Sequence, residues 1–248
     1  MSNIRQAFQN GKAFIPFITC GDPDLESTKR NVRAAVAAGA DLVELGIPFS
    51  DPTAEGPVIQ AANLRALSGG VTTDAVFQMV AELREELTTP FVFMTYANVV
   101  FSYGIEHFAA RAAEVGIDGI ILPDVPFEEK EEFAPAFRAA GIDFISMIAP
   151  TSMARIREIA AAAEGFLYVV SSLGVTGVRR EINTDLSGML ASVRQANPSL
   201  PAAIGFGIST PAQAQRMAAV ADGVIVGSAI VRIMAEKGRE ADEEIARY

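Results

Sequence analysis

The chain has one cysteine, one histidine and no tryptophan in 248 residues. A lone cysteine rules out an internal disulfide framework, and one histidine beside it rules out a Cys/His zinc cluster. Lysine is scarce as well, with only Lys12, Lys29, Lys130 and Lys237. Positive charge is in deficit, 20 Lys plus Arg against 30 Asp plus Glu, for a formal net charge of −10. A surface of that sign repels a phosphate backbone and speaks against a broad nucleic-acid role. Long apolar runs are missing too. Residues 224–231 end at Arg232, and 90–101 contain Thr, Tyr and Asn, so neither reaches the ~20 apolar residues of a membrane span. The opening MSNIRQAFQNGKAF has no apolar leader core and reads as a short amphipathic helix with Ile4, Ala7 and Phe8 on one side. The expectation is a soluble, cytoplasmic, reduced protein.

What the chain has is apolar material in short, regular portions. Hydrophobic residues make up 50% and charged residues 20%, with a mean hydropathy of +0.27, enough to bury a sizeable core. Strand-length apolar runs fall at 13–19, 41–45, 91–95, 119–122, 143–148, 167–171, 202–205 and 223–226. Most are apolar throughout, as suits parallel strands covered on both faces. Helical patterns fall at 25–38, 73–87, 105–114, 128–139, 152–162, 186–195, 211–219 and 228–247. Thr72, Ser152 and Thr210 followed by Pro211 are start signals. The segments AAGAD (37–41), EVGID (114–118) and AAGID (139–143) read as helix end, left-handed Gly and strand start. Eight strand–helix pairs after one extra helix predict an α/β fold, a (β/α)8 TIM barrel with an added N-terminal helix, as a single domain over 1–248. A doubly wound open sheet is the competing fold, but TCGDPD after the first strand is not its G-x-G-x-x-G fingerprint.

In such a barrel the chemistry sits at the C-terminal strand ends. The polar residues there include Thr19, Asp22, Glu44, Tyr96, Asn98, Asp124 and Tyr168. Gly174–Gly177, Gly205–Gly207 and Gly227–Ser228 follow the last three strands. Three adjacent glycine turns suit backbone N–H capture of a phosphate, although each alone could be a plain tight turn. Glu44 lies inside an apolar strand, so its carboxyl is partnered, raised in pKa or facing a polar cavity. Asp51 and Glu55 follow in a loop stiffened by Pro48, Pro52 and Pro57. None of the four lysines falls at a strand end, against Schiff-base chemistry. His107 starts an outer helix, and Cys20, without a nearby histidine, reads as packing. Carboxylate acid–base work on a phosphorylated substrate remains.

Seven segments, ELGIPFSDPTAEGPVIQAA (44–62), PFITCGDPD (16–24), MTYANVVFSYG (94–104), PDVPFEE (123–129), SSLGVTGVR (171–179), GFGIST (205–210) and VGSAIV (226–231), resemble the tryptophan synthase alpha subunit family in order and content. The resemblance implies a lyase that splits indole-3-glycerol phosphate into indole and glyceraldehyde 3-phosphate by retro-aldol chemistry, with no cofactor and no metal. It makes Glu44 the proton shuttle and Glu55 the second carboxylate, which accepts the indole N–H. The family usually has Asp in A-D-G-P where this chain has Ala54-Glu55-Gly56-Pro57, and an apolar residue where it has Thr53. The resemblance places Phe17, Ile59, Met94, Phe206 and Leu122 around the indole, with Tyr168 beside them. It puts Gly177, Gly207, Gly227 and Ser228 on the phosphate, and Thr176 on Glu55 when its loop closes. It also implies a pyridoxal-phosphate beta subunit in an αββα heterotetramer, contacted by residues 48–57 and the segments after Asn98 and Asp124. Two alternatives stay open: a subunit that mainly activates its partner, because of Glu55, and another phosphate-binding barrel enzyme such as a sugar-phosphate isomerase.

Overall fold

The computed structural model describes residues 2–171, 185–205 and 207–248. Among these described residues nine parallel strands form one sheet, β1 (Ala13–Thr19), β2 (Val43–Gly46), β3 (Phe91–Met94), β4 (Gly119–Ile121), β5 (Asp143–Phe144), β6 (Met147–Ile148), β7 (Leu167–Val170), β8 (Ala202–Gly205) and β9 (Gly223–Val226). Their order is β5-β4-β3-β2-β1-β9-β8-β7-β6. β5 and β6 are the two halves of the expected fifth strand. The Ile145 N–H still reaches Ile120 O on the β4 side, while Ser146 O accepts the Tyr168 N–H on the β7 side. The fifth strand thus passes from one neighbour to the other, and the sheet curls round on itself as the TIM barrel expected from eight alternating pairs.

The repeated Gly-x-Asp junctions explain how the strands start. Gly39, Gly116 and Gly141 all have positive φ. After each, the next N–H reaches back five residues: Ala40 to Ala35, Ile117 to Ala112 and Ile142 to Phe137. That is the Schellman closure of a helix, and only glycine takes the backbone conformation cheaply. Two of the aspartates that follow tie adjacent strands at the base. Asp41 accepts the Phe14 N–H at 2.8 Å, and Asp118 accepts that of Phe91 at 3.0 Å. Asp222, ahead of β9, does the same for Ala202 at 3.0 Å. Asp118 also accepts the Asn3 N–H and pairs with Arg84, both at 2.9 Å.

The expected N-terminal helix is a 3-10 turn, Ile4–Phe8, that closes the barrel floor. Ile4 and Ala7 are buried, and Ile4 Cδ1 lies 2.8 Å from where a Cβ on Gly119 would stand. The first outer helices are α1 (Leu25–Ala37), α2 (Pro57–Ser68), α3 (Thr73–Arg84), α4 (Ala97–Tyr103) and α5 (Ile105–Glu114). α6 (Ala134–Ala139), α7 (Met153–Ala161), α8 (Leu186–Ala196), α9 (Pro211–Ala218), α10 (Ser228–Lys237) and α11 (Asp242–Arg247) follow among the described residues. α2 and α4 were not expected from the pattern. The helix expected over 128–139 is a 3-10 turn, Phe127–Glu132, followed by α6. The one expected over 228–247 breaks at Gly238, where φ is +57. Among the described residues no helix is long and apolar enough to cross a membrane.

Candidate active site

Inward-facing side chains of β1, β2, β3, β7 and β9 meet at the C-terminal mouth. Phe17 and Glu44 stand opposite one another across the β1–β2 ladder, and Gly46 stands opposite Met94 across β2–β3. Phe17, Glu44, Met94, Tyr168 and Ile225 line a cavity there, completed by Glu55, Ile59, Gly207, Ile208, Gly227 and Ser228. Two glycines make room for its walls. A Cβ on Gly46 would lie 2.5 Å from Phe17 Cζ, and one on Gly205 would lie 2.3 Å from the Tyr168 hydroxyl oxygen. The wall is mostly apolar with two carboxyls in it, the composition of a pocket for an organic ligand with a few polar handles.

Glu44 is 1% exposed, and neither of its carboxyl oxygens has a hydrogen-bond partner among the described residues. Burial, and after it the nearby charge of Glu55, push its pKa up to about 8. Of the three options open for a strand-borne carboxyl, the structure selects the raised one facing a cavity. Tyr168 is also fully buried, and burial together with Glu44 holds its hydroxyl well above the usual tyrosine range.

Glu55 is buried but partnered. Asn63 Nδ2 donates to its Oε2 at 2.8 Å, and the Tyr96 hydroxyl is hydrogen-bonded to the same carboxylate. Burial raises its pKa to about 7 against the opposing pull of those two bonds. The Gln60 side chain holds the Glu55 carbonyl at 2.7 Å, and the Tyr96 hydroxyl accepts the Ala54 N–H at 3.1 Å. Tyr96 is fixed in turn by stacking on Phe49, with ring centroids 5.2 Å apart.

The helix that carries Asn63 and Gln60 is α2. Gly56 caps it and Pro57 occupies its first turn, where the missing N–H costs nothing. Ile59, Ala62, Asn63 and Ala66 form its buried face. Arg65 on the same helix makes two 2.7 Å bonds to the buried Asp22 of the loop after β1. Asp22 and Asp124 therefore hold structure together at the rim. Asp124 accepts the Ala97 N–H at 3.0 Å, at the start of α4.

The glycine turns after β8 and β9 lie on the same cavity. Gly207 has φ +78, and Gly227 and Ser228 open α10, whose first N–H groups have no intrahelical acceptor. Of the thirteen residues expected at the site, nine lie together here: Phe17, Glu44, Glu55, Ile59, Met94, Tyr168, Gly207, Gly227 and Ser228. Thr176, Gly177 and Phe206 lie outside the described residues. Leu122 lines a different cavity, on the flank of the barrel. Sequence reasoning missed Ile208, Ile225 and Asn63, and gave Tyr96 no role.

The residues set aside stay apart from this cavity. Lys12 bonds Ala221 O at 2.7 Å and Lys29 pairs with Glu26 and Glu82. Lys130 bonds Ala162 O, and Lys237 ends α10. His107 stacks on Tyr103 on the outside. Cys20 is fully buried, and burial pushes its thiol pKa up. Among the described residues no three His, Cys, Asp or Glu side chains converge as metal ligands would.

A family model described as tryptophan synthase alpha chain matches residues 2–248. The chain belongs to that family. A tryptophan synthase alpha chain from Lacticaseibacillus casei is 50% identical over 248 residues, covering 100% of this chain and 93% of that relative. Another from Lactiplantibacillus plantarum is 53% identical over 236 residues, covering 95% and 89%. Among solved structures, a chain of the tryptophan synthase α2β2 complex of Pyrococcus furiosus is 38% identical with a TM-score of 0.85, covering 96% of each chain. A chain from Aquifex aeolicus VF5 is 34% identical with a TM-score of 0.89, covering 100% of this chain and 97% of that one.

Proposed function

We propose that the chain is the alpha subunit of a cytoplasmic tryptophan synthase and cleaves indole-3-glycerol phosphate to indole and glyceraldehyde 3-phosphate. It works with a beta subunit and uses neither metal nor cofactor. The observation that carries this reading is Glu44, a buried carboxyl with no hydrogen-bond partner among the described residues, facing one cavity with Glu55. A retro-aldol cleavage needs a proton delivered to indole C3 and another taken from the C3′ hydroxyl. A carboxyl raised to about 8 holds a proton at neutral pH and delivers it to C3. The carboxylate left behind takes the hydroxyl proton as the carbon–carbon bond breaks. The chain's own side chain thus returns to its starting state.

Glu55 supports the electronic half of the reaction. Held by Asn63 and Tyr96, its carboxylate accepts the indole N–H and balances the positive charge that grows on the ring. Phe17, Ile59, Met94 and Tyr168 supply apolar walls for the ring, joined in this reading by Phe206. Gly207, Gly227 and Ser228, joined by Gly177, offer backbone N–H groups to the phosphate. The longer reach of Glu relative to the family's usual Asp is met by fixing it at both ends, its carbonyl on Gln60 and its carboxylate on Asn63. The catalytic reading is therefore preferred to a subunit that only activates its partner.

The test is indole release from indole-3-glycerol phosphate, with and without the beta subunit. Glu44→Gln keeps the shape and loses the proton shuttle, so turnover should fall about 10²–10⁴-fold while phosphate-bearing ligands still bind. Undiminished turnover in that variant would overturn the assignment.

A further inference from the structure

A second cavity lies where the fifth strand breaks. It measures about 210 Å³ and is walled by Leu122, Phe127, Phe144, Ile145, Ile148 and Ile159 among other apolar side chains. No acidic residue lines it. Two buried polar side chains do. Lys130 is 7% exposed and Ser146 is 8% exposed.

Neither group is fully used by the protein. The Lys130 ammonium carries three protons. It makes one hydrogen bond, 3.3 Å long, to Ala162 O, and lies 4.6 Å from the centre of the Phe127 ring. Among the described residues it forms no salt bridge. Glu131 senses its charge but is bonded to Arg138, and Arg155 at the edge of the cavity is taken up by both oxygens of Glu128. The Ser146 hydroxyl has no hydrogen-bond partner among the described residues. Lys130 thus has donor capacity to spare and no counter-charge among the described residues. It stands out further in a chain of net charge −10.

We infer that this flank cavity binds a small aromatic carboxylate, its ring between Phe127 and Phe144 and its acid group on Lys130, with Ser146 as a second donor. Rings and aliphatic side chains supply the burial, and the uncompensated cation selects an anion over the neutral form of the same molecule. The cavity is separate from the one that holds Glu44 and Glu55 and shares no lining residue with it.

Naphthalene-2-carboxylate is a suitable probe, titrated into the full chain without the beta subunit, whose expected contacts include the segment after Asp124 that carries Phe127 and Lys130, and labelled at isoleucine Cδ1 methyl groups. Ile145, Ile148 and Ile159 report on the flank, while Ile59, Ile208 and Ile225 report on the barrel mouth. The flank methyls should shift saturably. Naphthalene-2-carboxamide should bind at least about tenfold more weakly, as should the acid to Lys130→Met, while Lys130→Arg keeps the affinity. Equal affinity for acid and amide overturns the inference on the unaltered chain alone, whatever Lys130→Met does to folding. Shifts confined to the mouth methyls, or no saturable shift, overturn it as well.

Discussion

Replacing Glu44 by Gln should make the protein more stable as it makes it less active, and the gain should grow with pH. Below pH 4.5 the carboxyl is protonated in both folded and unfolded chains. Between 4.5 and about 8 the unfolded chain ionises it while the fold keeps the proton, because burial and Glu55 raise the folded value. The folded state then binds more protons than the unfolded one, so stability falls as pH rises, by about 1.4 kcal/mol per pH unit. Over the whole span that is about 5 kcal/mol as an upper limit. Water entry and relaxation around the open-mouthed cavity reduce it to about 2–4 kcal/mol. Gln cannot ionise and removes this slope, and Glu55 titrates in both proteins, so it cancels to first order. Urea unfolding of both proteins at half-unit steps from pH 5 to 9 reads the difference. It should open progressively in favour of Glu44→Gln and level off above pH 8. Parallel stability curves would mean that Glu44 is not held as a buried acid.

Three further outcomes follow from single contacts. Asn63→Leu removes the 2.8 Å donor from Glu55 and one of the two bonds holding its pKa down; kcat for indole release should fall about 10- to 100-fold, with the acidic limb of the pH–rate profile moved upward. Gly46→Ala places a methyl 2.5 Å from the Phe17 ring and displaces it into the cavity, which should cost about 1–3 kcal/mol in unfolding experiments and raise KM. Asp118→Ala breaks the partly buried pair with Arg84 and frees the Phe91 and Asn3 N–H groups; denaturation should show a loss of about 2–4 kcal/mol, with turnover per folded molecule unchanged.

The barrel was legible because its signals are local and repeated. Runs apolar on both faces marked the strands, and Gly39, Gly116 and Gly141 marked the helix ends by a conformation other residues avoid. Glu44 was legible because a carboxyl inside an apolar strand is expensive wherever it points. The surroundings of Glu55 were not. Pro57 read as one more stiffener of a proline-rich loop, although it opens α2, so the helix that carries Asn63 stayed hidden. α4 was hidden because Ala97–Tyr103 follows β3 with no Gly, Pro or capping side chain at its start. Tyr96 stood at a strand end, but its bonds to Glu55 and Ala54 join segments about forty residues apart, and no periodicity encodes that. The break between β5 and β6 is likewise a change of partner strand, a property of barrel closure that composition does not register.

The most direct measurement is a ¹³C NMR titration of the carboxyl carbons of glutamate-labelled protein, with Glu44→Gln as the assignment control. One resonance, absent in the variant, should titrate near pH 8, far from the exposed glutamates. If every resonance moves between pH 4 and 5, Glu44 is an ordinary ionised carboxylate and has no proton to deliver at neutral pH.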